Sequence, residues 1–260
     1  MASHKKKAKI VPSFKTWLRW AGIILLVLVL YSVTTVAIYR WLNPPFTLLM
    51  LSRSIEGVKS VDRKWLPFDQ IPQSMIDAVV ASEDNNFAVH YGFEFSQMKA
   101  AFRENKKGKR IRGASTITQQ MCKNVFLWEK RSYFRKALEA WFTVWVELIW
   151  SKERIMEVYL NVIEMGNGIY GIEAASQSYY RHPAARLTRE EAAMITAALP
   201  SPRKRNPARP TAYLIRRQAQ ILSLMDKIGK VKLSHTNHSV SPDLRNMKGL
   251  LEVPNNIIPK

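Results

Sequence analysis

The chain has 260 residues, enough for one large domain or for a medium one with an anchor and tails. Its 40 Lys and Arg against 20 Asp and Glu give a formal charge of +20, which calls for an anionic partner: nucleic acid, anionic lipid or a phosphate-bearing substrate. One cysteine, Cys122, excludes an intrachain disulfide, and five scattered histidines supply no structural zinc site; His235 and His238 are spaced like ligands but sit in a polar tail without cysteines.

The first predicted element is a membrane span. Residues 1–19 form a basic leader with Lys5, Lys6, Lys7, Lys9, Lys15 and Arg19 and no acidic residue. Trp20 to Tyr39 carries no charge and, at about 1.5 Å per residue, crosses a hydrocarbon core of roughly 30 Å. The leader therefore places the N-terminus in the cytoplasm and the remainder outside, so nucleic acid is not an expected partner. Trp17, Trp20, Tyr39 and Trp41 flank the span as interfacial aromatics, and Asn43-Pro44-Pro45 ends it, giving an anchor over residues 20–42. The rival reading is a cleaved signal peptide with Thr35-Val36-Ala37 as its processing site; the length of the span and leader favours an uncleaved anchor.

Beyond Pro45 the periodicity is helical almost throughout. A helix is predicted over Ile71 to Asn86, opened by Pro72, Ser74 and Asp77 as a capping box. Another is predicted from Phe93 to Arg103, followed by a basic loop at 105–110 and a helix start after Gly113. Tyr133 to Trp150 reads as a long apolar helix, Ser151 caps the next, and Gly166 stops it. A further helix begins near Ile172, and Thr188 with Glu191 forms a second capping box before an alanine-rich helix ended by Pro200. The expected exported domain covers 43–228, with its compact helical part from about 50; residues 229–260 read as a basic, loosely ordered tail.

Glu83 continues the apolar face of Val79 and Val80 into the last helical turn, where the dipole disfavours a negative charge. A carboxyl there is expected to be partly desolvated, with a raised pKa suited to a general base; the alternative is an ordinary surface glutamate. Glu139 follows Arg135 and Lys136 by four and three residues and is expected to stay ionised, unless it is only a solvated helix salt bridge. Two carboxylates in different regimes suit glycosyl chemistry. Lys123, Arg131, Arg135 and Lys136 together exceed what one Glu requires and suit a pyrophosphate. Gly113 to Gln120 offers hydroxyls and amides at a helix start, equally fit for capping or for binding anions and sugar hydroxyls.

Glu83-Asp84-Asn85-Asn86-Phe87 with His90 and Gly92, GASTITQQ at 113–120, Arg135-Lys136-x-x-Glu139, Lys152-x-x-Ile155-x-x-x-Tyr159-Leu160-Asn161 and GNGIYGIEAASQSYY at 166–180 follow one another in the order of glycosyltransferase family 51. Over about 75–200 the chain resembles the monofunctional biosynthetic peptidoglycan transglycosylases. The resemblance implies a mainly α, lysozyme-like, bi-lobed fold with a head and a membrane-facing jaw. It implies that Glu83 is the base deprotonating the acceptor hydroxyl and Glu139 the second catalytic carboxylate. Lys123, Arg131, Arg135 and Lys136 become pyrophosphate or sugar contacts, with Ser115, Thr116, Gln119, Gln120, Asn124 and His90 as further substrate-binding candidates. Glu94 stands where the family motif usually ends in Asp, which bears on the hydrogen bonding around His90 and Gly92.

The expected activity is polymerisation of lipid II on the outer face of the cytoplasmic membrane, with no protein-bound cofactor and room for a divalent metal, Mg or Mn, at the pyrophosphate. Expected partners are lipid II, the growing lipid-linked glycan and the membrane, with cell-wall transpeptidases and divisome proteins as candidates. A degradative muramidase needs no pyrophosphate-binding cations, and a non-enzymatic anion-binding membrane protein needs no paired carboxylates in ordered motifs. Gly166 to Gly171 fits GxGxxG but follows a helix where a dinucleotide fingerprint needs a strand. Ser201-Pro202-Arg203-Lys204 fits SxxK, but neither SDN nor KTG follows, so no transpeptidase domain is expected.

Overall fold

A computed structural model describes residues 14–60, 63–95, 99 and 115–233. Among them the chain is mainly helical: α1 Phe14–Tyr39, α2 Leu48–Ile55, α3 Gln73–Glu83, α4 Ile117–Phe126, α5 Tyr133–Ile149 and α6 Lys152–Val162 are followed by a hairpin of β1 Glu164–Gly166 and β2 Ile169–Tyr170. Then come α7 Ile172–Tyr180, α8 Arg189–Ala198 and α9 Ala212–Ile228. Two 3-10 turns, Phe68–Gln70 and Ala184–Arg186, complete the order. Most of the predicted Phe93–Arg103 helix, the 105–110 loop, Gly113 and the tail beyond Leu233 lie outside the described residues.

α1 is long and apolar enough to cross a membrane by length and composition, and almost its whole surface is exposed apolar side chain. Among the described residues, its C-terminal end docks on the helical body. Trp141 Nε1 donates to Ser32 Oγ at 3.0 Å, and Trp150 Nε1 donates to the Val36 carbonyl at 2.8 Å. Arg154 on α6 then caps the helix: its Nε and Nη2 donate to the Tyr39 carbonyl at 3.2 and 3.0 Å, and Nη2 also reaches the Leu42 carbonyl at 2.8 Å. Its Nη1 donates to Asn43 Oδ1 at 2.9 Å. A cation over the free carbonyls of a helix end satisfies groups that the span leaves orphaned.

The body packs α3 against α8 and α9, and α4 against α5 and α6. Its core runs from Met75, Val79 and Phe87 through Ile117 and Met121 to Ile155, Leu160 and Ile195. Asn161 is fully buried because it pairs with the backbone of Leu66 on both sides, its Nδ2 donating to the carbonyl and its Oδ1 accepting from the amide, each at 2.8 Å.

The predicted caps divide in two. Thr188 and Glu191 form the full capping box of α8, and Ser151 Oγ accepts from Arg154 N at the start of α6. At α3, by contrast, the N-cap is Pro72 with no side-chain cap. Ser74 Oγ donates to the Leu187 carbonyl, and Asp77 accepts from Gln73 Nε2 and from Val231 N. Long-range partners claim both side chains, so the local box does not form. Gly166 does not stop α6 either. That helix ends at Val162, and Gly166 belongs to an antiparallel hairpin, the wrong geometry for the strand-to-helix turn of a dinucleotide site. Gly171, at φ +80°, packs so closely on the Asn161 carbonyl that a Cβ there would lie 2.7 Å from its oxygen.

Candidate active site

Residues from α2, α4, α5, α6 and the connections between elements wall a cleft of about 860 Å³. α4 supplies Gln119, Gln120, Lys123 and Asn124, with Ser115 just ahead of it; α5 supplies Arg135, Lys136 and Glu139, and α6 supplies Tyr159. Arg131 and Glu129 come from the α4–α5 connection, and the segment from Leu199 to Lys204 closes the opposite side.

α4 starts in a full capping box: Thr116 Oγ1 accepts from Gln119 N at 3.2 Å and Gln119 Oε1 accepts from Thr116 N at 3.3 Å. Thr116 Oγ1 also donates to the Gly92 carbonyl at 2.7 Å. The capping role expected for this stretch is therefore present, and Thr116 is buried away from the cleft lining.

On the α5 side Glu139 is held between two cations. Arg135 Nη1 donates to Oε2 at 2.9 Å and Lys136 Nζ to Oε1, and Lys136 also reaches Ser115 Oγ at 3.1 Å. Glu139 is only 3% exposed, so this is a buried triad and not a solvated surface pair. Arg135 Nε is buried and has no hydrogen-bond partner among the described residues.

Lys123 has no side-chain partner among the described residues. Burial lowers its pKa; the Glu139 charge works the other way, and Arg135 and Arg131 add to the lowering. A desolvated, unpaired ammonium is prepared to receive an anion. Among the described residues, seven Lys and Arg against three Glu line the cleft, a formal excess of four positive charges. Two of the three carboxylates, Glu129 and Glu164, already face Arg53, at 2.7 and 3.5 Å.

Glu83 is half-buried at the end of α3 and stands behind Gln120, outside the cleft lining proper. Its Oε2 accepts from Gln120 Nε2 at 3.1 Å, which brings it within one hydrogen bond of the cleft. The neighbouring Asp84 pins this corner: its Oδ2 accepts from Ile117 N at 2.9 Å and its carboxylate faces His90 Nε2 at 2.8 Å. Gly92 N donates to His90 Nδ1 at 3.0 Å, so the ring proton belongs on Nε2 and both ring nitrogens are used within the loop. His90 thus braces the turn after Glu83 and does not line the cleft. Glu94, the departure from the family pattern, accepts from Asn86 Nδ2 at 2.8 Å, one turn away from the Asp84–His90 pair.

Behind α4 lies a second buried ion pair. Lys152 Nζ donates to both oxygens of Glu147 at 2.9 Å, Thr118 Oγ1 donates to Glu147 Oε1 at 2.5 Å, and the ammonium stands 4.7 Å from the centre of the Phe87 ring. It ties the α4, α5 and α6 frames to the loop that carries Phe87.

The cleft thus collects Ser115, Gln119, Gln120, Lys123, Asn124, Arg131, Arg135, Lys136 and Glu139 of the expected site, while Glu83, Thr116 and His90 stand behind it. Arg53, Tyr159, Glu164 and Lys204 also line it, and sequence reasoning had not picked them as site residues.

An ordered set of acidic, amide and cationic motifs converging on one cleft invites comparison with known proteins. The family model described as Transglycosylase matches residues 51–226. This chain belongs to the transglycosylase family. Among its curated relatives, a biosynthetic peptidoglycan transglycosylase of Bacteroides thetaiotaomicron is 47% identical over 221 residues, 83% of this chain and 89% of that protein. Its namesake in Caulobacter vibrioides is 48% identical over 196 residues, covering 75% and 85%. That of Ectopseudomonas mendocina is 47% identical over 207 residues, covering 78% and 86%.

Proposed function

We propose that this transglycosylase polymerises lipid II, the undecaprenyl-pyrophosphoryl disaccharide-pentapeptide, into β-1,4-linked glycan with release of undecaprenyl pyrophosphate. The observation that carries the reading is Lys123: a desolvated, unpaired ammonium in a cation-rich cleft, one hydrogen-bonded amide away from the glutamate best placed as base.

In this mechanism Glu83 takes the proton of the acceptor 4-hydroxyl as that oxygen attacks the anomeric carbon of the lipid-linked donor. The new C–O bond forms with inversion as the anomeric C–O bond to the pyrophosphate breaks. The electron pair leaves on a pyrophosphate oxygen, met by the cations Lys123, Arg131 and Arg135. Glu139 acts through its charge, holding Arg135 and Lys136 in position. Ser115, Gln119, Gln120 and Asn124 supply polar contacts for sugar hydroxyls. A hydrolytic muramidase would have no use for this excess of cations.

The described residues do not fit a protein-held divalent metal: no group of three or more His, Cys, Asp or Glu is arranged to hold one, and two of the cleft's three carboxylates face Arg53 while Glu139 is ion-paired to Arg135 and Lys136. No step is therefore assigned to one. The reading places the chain as a single-pass protein of the cytoplasmic membrane, N-terminus inside and cleft on the outer, periplasmic face. There its product would be handed to cell-wall transpeptidases, within the division machinery.

The test is detergent-solubilised protein with labelled lipid II, scored for polymer that lysozyme digests. Glu83→Gln is expected to abolish polymerisation and keep the fold, and Glu139→Gln to be severely impaired. Residual turnover above about a tenth of wild type in Glu83→Gln, less than the smallest loss expected for general acid-base catalysis, would overturn the assignment.

A further inference from the structure

Glu83 is gripped from both sides, and each grip is itself held. Its Oε1 accepts from Ser82 Oγ at 3.3 Å, and Ser82 Oγ in turn accepts from Arg217 Nη2 at 3.0 Å. Its Oε2 accepts from Gln120 Nε2 at 3.1 Å, and Gln120 Oε1 accepts from the Tyr159 hydroxyl at 3.2 Å. The result is one chain of hydrogen bonds, Arg217–Ser82–Glu83–Gln120–Tyr159, drawn from α9, α3, α4 and α6.

The outer members set its direction. A guanidinium can only donate, so Arg217 uses the Ser82 oxygen as acceptor and leaves the serine hydrogen for Glu83. The Tyr159 hydroxyl donates to the amide oxygen of Gln120, which turns the amide NH2 toward Glu83; the opposite orientation would set oxygen against carboxylate. Tyr159 is 1% exposed, and burial pushes its hydroxyl well above the ordinary tyrosine range, so it remains a donor. Each oxygen of Glu83 then has one lone pair engaged and another free, the arrangement a base needs if its free lone pair is to point at an incoming hydroxyl.

We infer that Arg217 and Tyr159 are positioning residues for the Glu83 carboxylate, acting through Ser82 and Gln120. The inference rests on the reading of Glu83 as the base. Arg217 is the less expected of the two, because α9 contributes no residue to the cleft lining.

The experiment measures kcat and KM for lipid II with the full-length, detergent-solubilised protein. The variants are Tyr159→Phe, Arg217→Ala, Arg217→Lys, Ser82→Ala, the double Ser82→Ala/Arg217→Ala, and Glu83→Gln as reference. Tyr159→Phe and Arg217→Ala should each lower kcat about ten-fold, the scale of one lost hydrogen bond and a displaced reacting group. KM should stay within about two-fold, since neither Tyr159 nor Arg217 is assigned a contact with substrate. Arg217→Lys should recover most of the loss, and the double variant should be no worse than the poorer single, because both break the same link. Wild-type kcat in Tyr159→Phe and Arg217→Ala beside an inactive Glu83→Gln would overturn the inference and leave the base standing. An active Glu83→Gln would overturn both. A raised KM at constant kcat would make these residues substrate contacts and overturn the positioning role. If Arg217→Ala melts early, Tyr159→Phe and Ser82→Ala decide, since each breaks one link of the chain with little loss of side-chain bulk.

Discussion

Replacing Lys123 by Met separates what this side chain costs the protein from what it contributes to turnover. Lys123 is desolvated in the cleft and has no side-chain partner among the described residues, with Glu139 favouring its charge and Arg135 and Arg131 opposing it. One charge-assisted hydrogen bond from it to a phosphate oxygen contributes about 1.5–3 kcal/mol, so kcat/KM for lipid II should fall about 10- to 150-fold. Stability should move the other way. The folded-state pKa of Lys123 lies below its ordinary value, so the protonated side chain disfavours folding at neutral pH. That penalty is fully present below the lowered pKa and fades as the pH rises through it towards the unfolded value. The variant should therefore melt no lower than wild type at pH 7, and the two should converge at alkaline pH. Initial rates at several lipid II concentrations, with thermal melts between pH 7 and 11, read both quantities. A kcat/KM within about two-fold of wild type would refute the argument that this ammonium meets the leaving group.

Other substitutions test the frame. Gly92→Ala puts a Cβ 2.5 Å from Thr143 Cγ2 and 2.8 Å from Glu147 Cγ at a φ of +77°, and should destabilise the protein by about 2–4 kcal/mol in chemical denaturation. Lys152→Met leaves Glu147 buried without its cation and should cost about 3–5 kcal/mol, much of it regained in the double variant with Glu147→Gln. Arg154→Ala uncaps the end of α1; the melt in detergent should fall by about 2 kcal/mol, and trypsin should cut faster at Arg40.

What the sequence revealed and what it hid follow from range. α5 and the caps at Ser151 and Thr188 are set by residues within one helical turn of one another, and the structure has them where periodicity and cap chemistry predict; α1 ends near the predicted point but begins at Phe14, inside the expected leader. Ser74 and Asp77 make the same local pattern, but they meet Leu187 and Val231, more than a hundred residues away in the chain. No local rule could foresee that. Likewise Glu139 carried its partners at i−4 and i−3 and was legible, whereas the partners of Glu83 come from α4 and, through Ser82, from α9. Arg203 and Lys204 could have been flagged by the run of cations from 203 to 205 just after the Pro-Ser-Pro bend.

The docking of α1 has a consequence for how the cleft is held relative to that helix. Trp141, Trp150 and Arg154 fasten the last turns of the span to α5 and α6, and α5 also carries Arg135, Lys136 and Glu139. The cleft is therefore not tethered on a slack leash. It keeps one face turned to α1, so any movement of that helix carries the cleft with it. Lengthening the connection after residue 43 would leave this geometry intact, because the clamp closes before it. Loosening the clamp would instead let the cleft tilt and bob while every residue inside it stayed in place.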